Sequence, residues 1–432
     1  MKLQTKLTSA INASLAVTLA YLLSIYFGMG DYASTAAITI MILATADDFR
    51  SSLTKGVLRV LGTLLGAVLG LGLIALFPQE RMTYLFLLSV FVTFFLYLAR
   101  AYRGDKTVFM LSALTMMLVF NGGDVNSAFL YGVNRTVMTV FGIVIYTSIT
   151  IFLFPKTIKK PSAKNEKAPF VWFDIEDIKG TFITFLVFWS GVYIWIVYNP
   201  PQGFYIVTLA TSFSLYTTYT LVRPMLLIIL FSLSFVFYIF SYVFILPNLY
   251  SSVEFALFLF IYSFIGFYFI KPKISIFFLS GLSIFLIKNE MNYNFQIFMI
   301  ILLIFYMFLF LLLLYDYFPF NTKANSMFLA LQKRYFLFAR SILKPNYFTF
   351  YAKKFLHSTL VKMQIYMGAI DFKHFNHVTK EELSEFLREC EKFTKELQEY
   401  IKSDTKVPSS KLLLQYEELS SIKFESLKEN KF

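Results

Sequence analysis

Hydrophobic positions along this chain fall into long blocks that are separated by short polar segments. The blocks fill residues 8–154 and 181–316, whereas residues 321–432 alternate apolar and polar positions at helical spacing. A helix that crosses a bilayer needs about twenty mainly apolar residues. The pattern therefore predicts a membrane part built from many helices, followed by a soluble helical part that begins near Pro319.

Twelve segments of the membrane part are candidate spans, although the fifth and the eleventh are short. They are residues 10–28, 32–48, 57–77, 83–100, 106–121, 131–154, 180–198, 203–221, 223–246, 252–270, 273–288 and 294–316. A charged segment divides them into two sets of six, and each set opens with a helix, a short turn and a second helix rich in small or hydroxyl residues. Six spans per set place both sets in the same orientation. We therefore expect two parallel repeats related by an axis along the membrane normal.

The distribution of basic residues predicts the orientation of the spans. With the N-terminus inside the cell, nearly all Lys and Arg residues of the membrane part lie in cytoplasmic segments, and the outer side holds Arg81, Arg135 and Lys288. Loops on the cytoplasmic side of membrane proteins carry such an excess of positive charge. We therefore expect a multi-pass protein of the cell inner membrane whose N- and C-termini are both cytoplasmic.

These patterns predict an all-α integral membrane protein with four parts. They are a first six-helix transmembrane half (1–155), a cytoplasmic linker (156–179), a second six-helix transmembrane half (180–319) and a cytoplasmic helical domain (320–432). In the last part, Thr379 and Glu382 fit a capping box ahead of an amphipathic helix. A bundle of four helices is expected there, at residues 324–343, 346–370, 379–402 and 411–429.

Composition and charge exclude several classes of function. The chain is 57% hydrophobic with a mean hydropathy of +0.64, so its main partner is the lipid bilayer. A net charge of +13 is compatible with nucleic-acid binding, but topology already explains the basic loops, so no nucleic-acid partner is expected. The three histidines and the single Cys390 form no pattern typical of a metal site, and no phosphate-binding or nucleophile motif occurs in a suitable context. We therefore expect neither an enzyme nor a cofactor nor a metal.

Small residues in the third and sixth spans predict close helix packing. Gly62, Gly66 and Gly70 recur every four residues and share one helix face, and Gly142 lies in the sixth span. Such spacing lets two helix backbones approach closely. The glycine face of the third span fits either a contact within the chain or a contact in a homo-oligomer.

Two arginines lie within or at the start of apolar spans. Arg59 begins the third span, and Arg135 lies in the sixth span beside Asn134 and Thr139. A charged side chain in a span is costly, so it either extends its head group to the membrane surface or has a function. Both interpretations remain open for each arginine.

The same residues carry a resemblance to a known family. Arg59, Gly62-Thr63 and Gly66 resemble the R-x-x-G-T-x-x-G signature of the fusaric acid resistance and aromatic acid exporter family, and Arg135 with Gly142 and Pro155 is similar to its R…G…P segment. In that family, two sets of six spans form an inner-membrane efflux protein that expels aromatic carboxylic acids at the expense of the proton gradient. The plant aluminium-activated malate channels are distantly similar. The resemblance covers residues 8–155, is weak over 180–320 and is absent from the tail.

The resemblance implies a secondary transporter that exports small organic anions, with aromatic carboxylic acids as substrates and protons as the coupling ion. The alternative is a passive organic-anion channel of the malate-channel type. A homo-oligomer or a periplasmic efflux partner would be compatible with either function. The candidate substrate-binding residues are Arg59, Arg135, Asn134, Thr63 and Thr139, and the candidate proton-coupling residues are Asp47 and Asp48.

Overall fold

The computed structural model of this chain shows an all-helical protein over the residues that it describes. Those residues are 2–46, 48–102, 104–120, 125–153, 174–200, 203–217, 224–285, 287–289, 291, 293–317, 324–344, 349–370, 372, 379–402, 408–422 and 424. They fall into two compact units. The first lies within 1–164, 181–215 and 224–313, and the second lies within 165–180, 216–223 and 314–432.

Thirteen helices form the apolar part of the described chain. They are α1 (Lys2–Tyr26), α2 (Ala33–Ala44), α3 (Phe49–Leu76), α4 (Arg81–Ala101), α5 (Thr107–Val119), α6 (Val125–Phe152), α7 (Ile175–Tyr198), α8 (Phe204–Thr217), α9 (Pro224–Phe240), α10 (Ser252–Phe264), α11 (Pro272–Leu279), α12 (Gly281–Ile284) and α13 (Phe295–Tyr317). A short 3-10 turn precedes α2, and π-helical turns extend α9 and α10.

Eight of these helices are long and apolar enough to cross a membrane, as expected for a multi-pass membrane protein. They are α1, α3, α4, α6, α7, α9, α10 and α13. The remaining four apolar segments are shorter, at Gly30–Ala44, Thr107–Val119, Phe204–Thr217 and Ile274–Ile284. They take the second and fifth places of each predicted set of six. The sequence indicates that the fifth and eleventh segments are short, but it does not indicate this for the second segment, where α2 spans 12 residues and follows a 3-10 turn.

Helices α3 and α5 pack with their backbones in direct contact. A Cβ atom added at Gly66 would lie 2.5 Å from the carbonyl oxygen of Ser112, and one added at Gly62 would lie 2.7 Å from that of Val108. The Ser112 hydroxyl donates a hydrogen bond of 3.1 Å to the carbonyl oxygen of Gly62. The glycine face of α3, which includes Gly70, therefore faces a helix of the same chain.

Gly142 of α6 makes a similar contact with α2. A Cβ atom added there would lie 2.7 Å from the carbonyl oxygen of Ala36. Only a residue without a side chain fits so close an approach. Glycines on α3 and α6 thus bring the two short helices of the first half, α5 and α2, against the long ones.

The two halves meet in the first unit at several places, and two of these involve the first helix of a half. At one, α1 packs on α10, and the Tyr21 hydroxyl donates a hydrogen bond of 2.9 Å to the carbonyl oxygen of Leu282. At the other, the Arg81 guanidinium of α4 lies 4.5 Å from the centroid of the Trp195 ring of α7, a cation–π arrangement. The first helix of each half therefore contacts the other half.

The helix is interrupted between α11 and α12, and tyrosine side chains of other helices donate hydrogen bonds to this interruption. Gly281 begins α12, and a Cβ atom added there would lie 2.5 Å from the Tyr238 ring. Helix breaks inside a membrane protein need partners for the carbonyl groups they release. Three buried hydroxyl groups supply them: Tyr238 donates to the carbonyl of Phe277, Tyr262 to that of Phe278, and Tyr21 to that of Leu282.

The second unit contains four helices around a shared apolar core. They are α14 (Ala324–Leu343), α15 (Thr349–Met367), α16 (Lys380–Lys402) and α17 (Ser410–Ser421). The predicted capping box is confirmed, since Glu382 N donates to Thr379 Oγ1 at 3.2 Å and Thr379 N donates to Glu382 Oε2 at 3.1 Å. Cys390 lies in this core, where burial raises the pKa of its thiol to about 12.

A buried cluster of ion pairs connects the start of α7 to α14 and α15 within this unit. Lys362 Nζ lies 2.7 Å from Asp174 Oδ2 and 3.1 Å from Asp177 Oδ2, and Arg334 Nη2 lies 3.2 Å from Asp174 Oδ1. Burial raises the pKa of Asp174, but a hydrogen bond with Glu176 and the charges of Lys362 and Arg334 outweigh it, so the pKa lies well below its usual range. The described end of the predicted linker therefore folds with the C-terminal helices, while residues 156–173 lie outside the described residues.

The backbone contact between α3 and α5 predicts opposite effects of alanine at two glycines of one helix. Gly66→Ala should lower the free energy of unfolding by about 1–3 kcal/mol, because the new methyl group meets the carbonyl of Ser112. Gly72 has nothing within 4 Å of an added Cβ. Gly72→Ala should therefore be neutral or should stabilise the helix by up to about 1 kcal/mol.

Denaturant unfolding of the two purified variants in detergent would measure this difference. Equal stability of the Gly66→Ala and Gly72→Ala proteins would show that α3 and α5 do not touch through this face.

Candidate functional site

Helices α3 and α6 run antiparallel, and two glycines define their register. A Cβ atom added at Gly56 of α3 would lie 3.3 Å from Ile143 of α6, and one added at Gly132 of α6 would lie 3.4 Å from the Cβ of Ala67 of α3. Residue numbers thus rise along α3 as they fall along α6. The facing positions of α3 and α6 between these two contacts belong to one interface.

Four of the predicted site residues lie in this interval. Positions 56, 59, 63 and 67 are three or four residues apart and share one face of α3, and positions 132, 135, 139 and 143 share one face of α6. Arg59 lies one turn inside the first contact and Arg135 one turn inside the second. At 1.5 Å per residue, they are separated by roughly 8 Å along the helix axis. At this separation in a largely apolar interface, the two positive charges repel each other.

Arg59 is buried without an anionic partner. Only 3% of the residue is exposed, and its Nε has no hydrogen-bond partner in the described part of the chain. It forms no ion pair there either. Arg59 lies about 15 Å from the start of a 28-residue helix, whereas an arginine that snorkels keeps its head group at an exposed helix end.

Arg135 is half-buried and has a neutral partner. Its Nη1 donates a hydrogen bond of 3.2 Å to the hydroxyl of Tyr131, one turn earlier on α6. The Tyr131 ring lies 6.1 Å from the ring of Tyr32, at the start of α2. Sequence reasoning missed both tyrosines, although the four-residue spacing of Tyr131 and Arg135 is a signal for contact on a helix.

The other predicted binding residues are placed as follows. Thr63 is buried at the same interface, and Asn134 is half-buried beside Arg135. Thr139 is buried, and its hydroxyl donates to the carbonyl of Arg135 at 2.8 Å. The Thr139 hydroxyl can therefore still accept a hydrogen bond, but its proton is already engaged.

The predicted proton-coupling residues do not join this group in the described structure. Asp48 is half-buried and occupies the position just before α3, about 16 Å along the helix from Arg59. Asp47 lies outside the described residues. The described acidic residues of the first unit lie at helix ends or turns: Asp31, Asp48, Glu80, Asp105 and Glu254. The described residues also hold no cluster of three or more His, Cys, Asp or Glu side chains that could bind a metal ion.

The energetics of the site favour an anionic ligand. An arginine near the centre of a membrane helix costs about 2.5–3.5 kcal/mol on insertion scales, and leaving a buried charge unpaired costs more than pairing it. Two guanidinium groups also repel each other. A carboxylate between them would remove the repulsion and supply the missing partner, and a guanidinium can hold it through two parallel hydrogen bonds.

Comparison with known families supports the resemblance seen in the sequence. Residues 7–168 match the model of the Fusaric acid resistance protein family. This stretch contains α2 to α6, most of α1 and the whole α3–α6 interface. The family is associated with membrane transport and efflux. Among curated proteins and solved structures, no match to the chain was found.

The register of α3 and α6 predicts a disulfide in an engineered chain. In the double variant Ala67→Cys/Gly132→Cys, the two Cβ atoms would be 3.4 Å apart, close to the usual distance of about 3.5–4.5 Å in a disulfide. Mild oxidation should therefore cross-link the two helices. The native Cys390 is fully buried in the second unit and does not interfere.

A protease site inserted at Gly104 would reveal the cross-link, because the two fragments stay joined on a non-reducing gel. Gly72→Cys/Gly132→Cys is the matched control, since an added Cβ at Gly72 has no neighbour within 4 Å. If both pairs cross-link equally, or neither does, the register is wrong.

Proposed function

We propose that this protein exports small organic anions, with aromatic carboxylic acids as substrates, across the cell inner membrane, and that protons drive the export. The observation that carries the proposal is Arg59, a buried arginine without an ion-pair partner among the described residues. The match of residues 7–168 to a family associated with efflux supports it independently.

The chemistry of the α3–α6 interface suits a carboxylate better than a cation or a neutral sugar. Arg59 and Arg135 supply two positive charges at nearby levels, and no described carboxylate neutralises either of them. The hydroxyl groups of Thr63 and Tyr131 add polar partners, and the rings of Tyr131 and Tyr32 offer contact to an aromatic ring. A single aromatic carboxylate would use all of these groups.

The arrangement of the short helices supports a transport path through the first unit. Short apolar helices stand in the second and fifth places of each set of six, and α11–α12 is broken at Ser280–Gly281. Paired short or interrupted segments in corresponding places of two repeats are typical of transporter binding regions. The reciprocal contacts of α1 with α10 and of α7 with α4 agree with the proposed parallel repeats.

The passive anion channel is the second candidate, and one observation favours it. Proton coupling needs a titratable group on the path, but the described carboxylates of the first unit lie at helix ends. In the exporter, Asp47 and Asp48 would carry the proton at the start of α3. In the channel, the arginines alone would attract the anion, and no proton would move with it.

Reconstitution into liposomes tests both candidates with benzoate as the probe. The exporter should move benzoate against its gradient when a pH gradient is imposed. Arg59→Gln should lower this transport about tenfold or more, since a charged hydrogen bond contributes roughly 1.5–3 kcal/mol. Arg50→Gln, which changes an exposed arginine at the start of the same helix, should leave it unchanged.

Three results would test the anion site and distinguish the exporter from the channel. Full transport by a monodisperse Arg59→Gln protein would overturn the anion site. Benzoate current that ignores the pH gradient would select the channel. Partial recovery in Arg59→Lys, which keeps the charge but loses the planar fork, would show that both charge and geometry contribute.

A further inference from the structure

A groove of about 500 Å³ lies between α9 and α13 in the first unit. These helices are the third and the last of the second half, so they correspond by position to α3 and α6. The volume lies within the roughly 300–1,000 Å³ range of small-molecule sites. Its lining residues are Ser232, Phe235, Val236, Ile239, Met299, Ile300, Leu302, Leu303 and Tyr306.

One polar pair stands in this apolar lining. The hydroxyl groups of Ser232 and Tyr306 are 2.8 Å apart and share a hydrogen bond. One proton serves that bond, so the pair keeps a second proton to donate and lone pairs that can accept. A ligand with one donor and one acceptor on neighbouring atoms can use both.

The walls of the groove suit a flat ring. The rings of Phe235 and Tyr306 are nearly perpendicular, at an interplanar angle of 82° with centroids 5.2 Å apart. Aromatic rings favour edge-to-face and offset contacts of this kind. Met299 adds a flexible and polarisable side chain, which packs well against rings.

The groove opens on the outer surface of the helices. Val236 is 65% exposed and Leu303 is 56% exposed, and both belong to helices that are long enough to cross a membrane. Exposed apolar side chains on such helices face lipid. A ligand would therefore enter the groove from the hydrocarbon layer, where uncharged molecules dissolve and ions do not.

The contrast with the first half indicates the charge of the ligand. The α3–α6 interface carries Arg59 and Arg135, whereas the described residues that line the α9–α13 groove include no charged side chain. A carboxylate would find no cation there and would lose its hydration. A protonated carboxylic acid has a hydroxyl donor and a carbonyl acceptor, which match the Ser232–Tyr306 pair.

We infer that the α9–α13 groove binds the uncharged, protonated form of an aromatic acid, taken directly from the lipid layer. This inference rests on the proposed function, because it assigns a second site to the same class of substrate. A lipid acyl chain is the competing occupant, but it would leave the hydroxyl pair unused. The two halves would then bind two protonation states of one substrate, the neutral acid at α9–α13 and the anion at α3–α6.

Binding of radiolabelled benzoic acid to the protein in lipid nanodiscs tests the inference, at one pH below and one above the pKa of the acid. Val236→Trp fills the groove, and Tyr306→Phe and Ser232→Ala remove one hydroxyl each with little change of shape. Each of the three variants should weaken binding of the neutral acid. For Tyr306→Phe and Ser232→Ala, which lose a hydrogen bond, the expected loss is about three- to tenfold. None should change binding of the anion.

Leu257→Trp is the matched control, because it adds the same bulk to an exposed position of α10 outside the groove. Unchanged binding of the neutral acid in Val236→Trp, equal loss in Leu257→Trp, or displacement of the acid by hexadecane would overturn the inference. Arg59→Gln separates the two proposals, since it should weaken binding of the anion alone. Loss of that effect would count against the anion site and not against the groove.

Discussion

The charge of Arg59 is the constraint on which the rest of this structure depends. A guanidinium buried among apolar helices, without a carboxylate nearby among the described residues, carries an energetic cost that a bound anion would offset. The antiparallel register of α3 and α6 places Arg135 roughly 8 Å away along the helix axis, on the facing helix. Under the proposed function, the arrangement would be unfavourable when empty and favourable with an anion bound, as a transporter of anions needs.

Two faces of α3 make this arrangement possible. One face carries Gly62, Gly66 and Gly70 and lies against the backbone of α5, and the other carries Arg59 and Thr63 and lies against α6. The close contact with α5 fixes the rotation of α3 about its own axis. A larger residue on the glycine face would turn or displace the helix, and Arg59 would move with it. The glycines therefore position the arginine although they touch no ligand.

Much of this architecture could be predicted from hydropathy and charge, because a long apolar helix is visible in the sequence as a long run of apolar residues. The eight long helices and the capping box of Thr379 and Glu382 are of this kind. The sequence predicts a span at 32–48 but not that α2 has only 12 residues, since an apolar stretch does not show where its helix begins and ends. The break at Gly281 was also missed, because it depends on tyrosines that lie far away in the sequence.

The candidate site could likewise be predicted only in part, because the sequence identifies its residues but the fold determines which of them meet. The residue pattern singles out Arg59, Thr63, Arg135 and Thr139, but only the register of α3 and α6 shows that they share one interface. No sequence pattern predicts the α9–α13 groove. Ser232 and Tyr306 lie far apart in two apolar stretches, and their contact depends on the packing of α9 against α13.

A structure of the protein with bound 4-bromobenzoate would test the central claim most directly, since bromine marks the ligand. We expect ligand density between α3 and α6, with the carboxylate within hydrogen-bonding distance of the Arg59 guanidinium. Arg59 paired with a carboxylate of the chain itself, and no ligand at this interface, would contradict it.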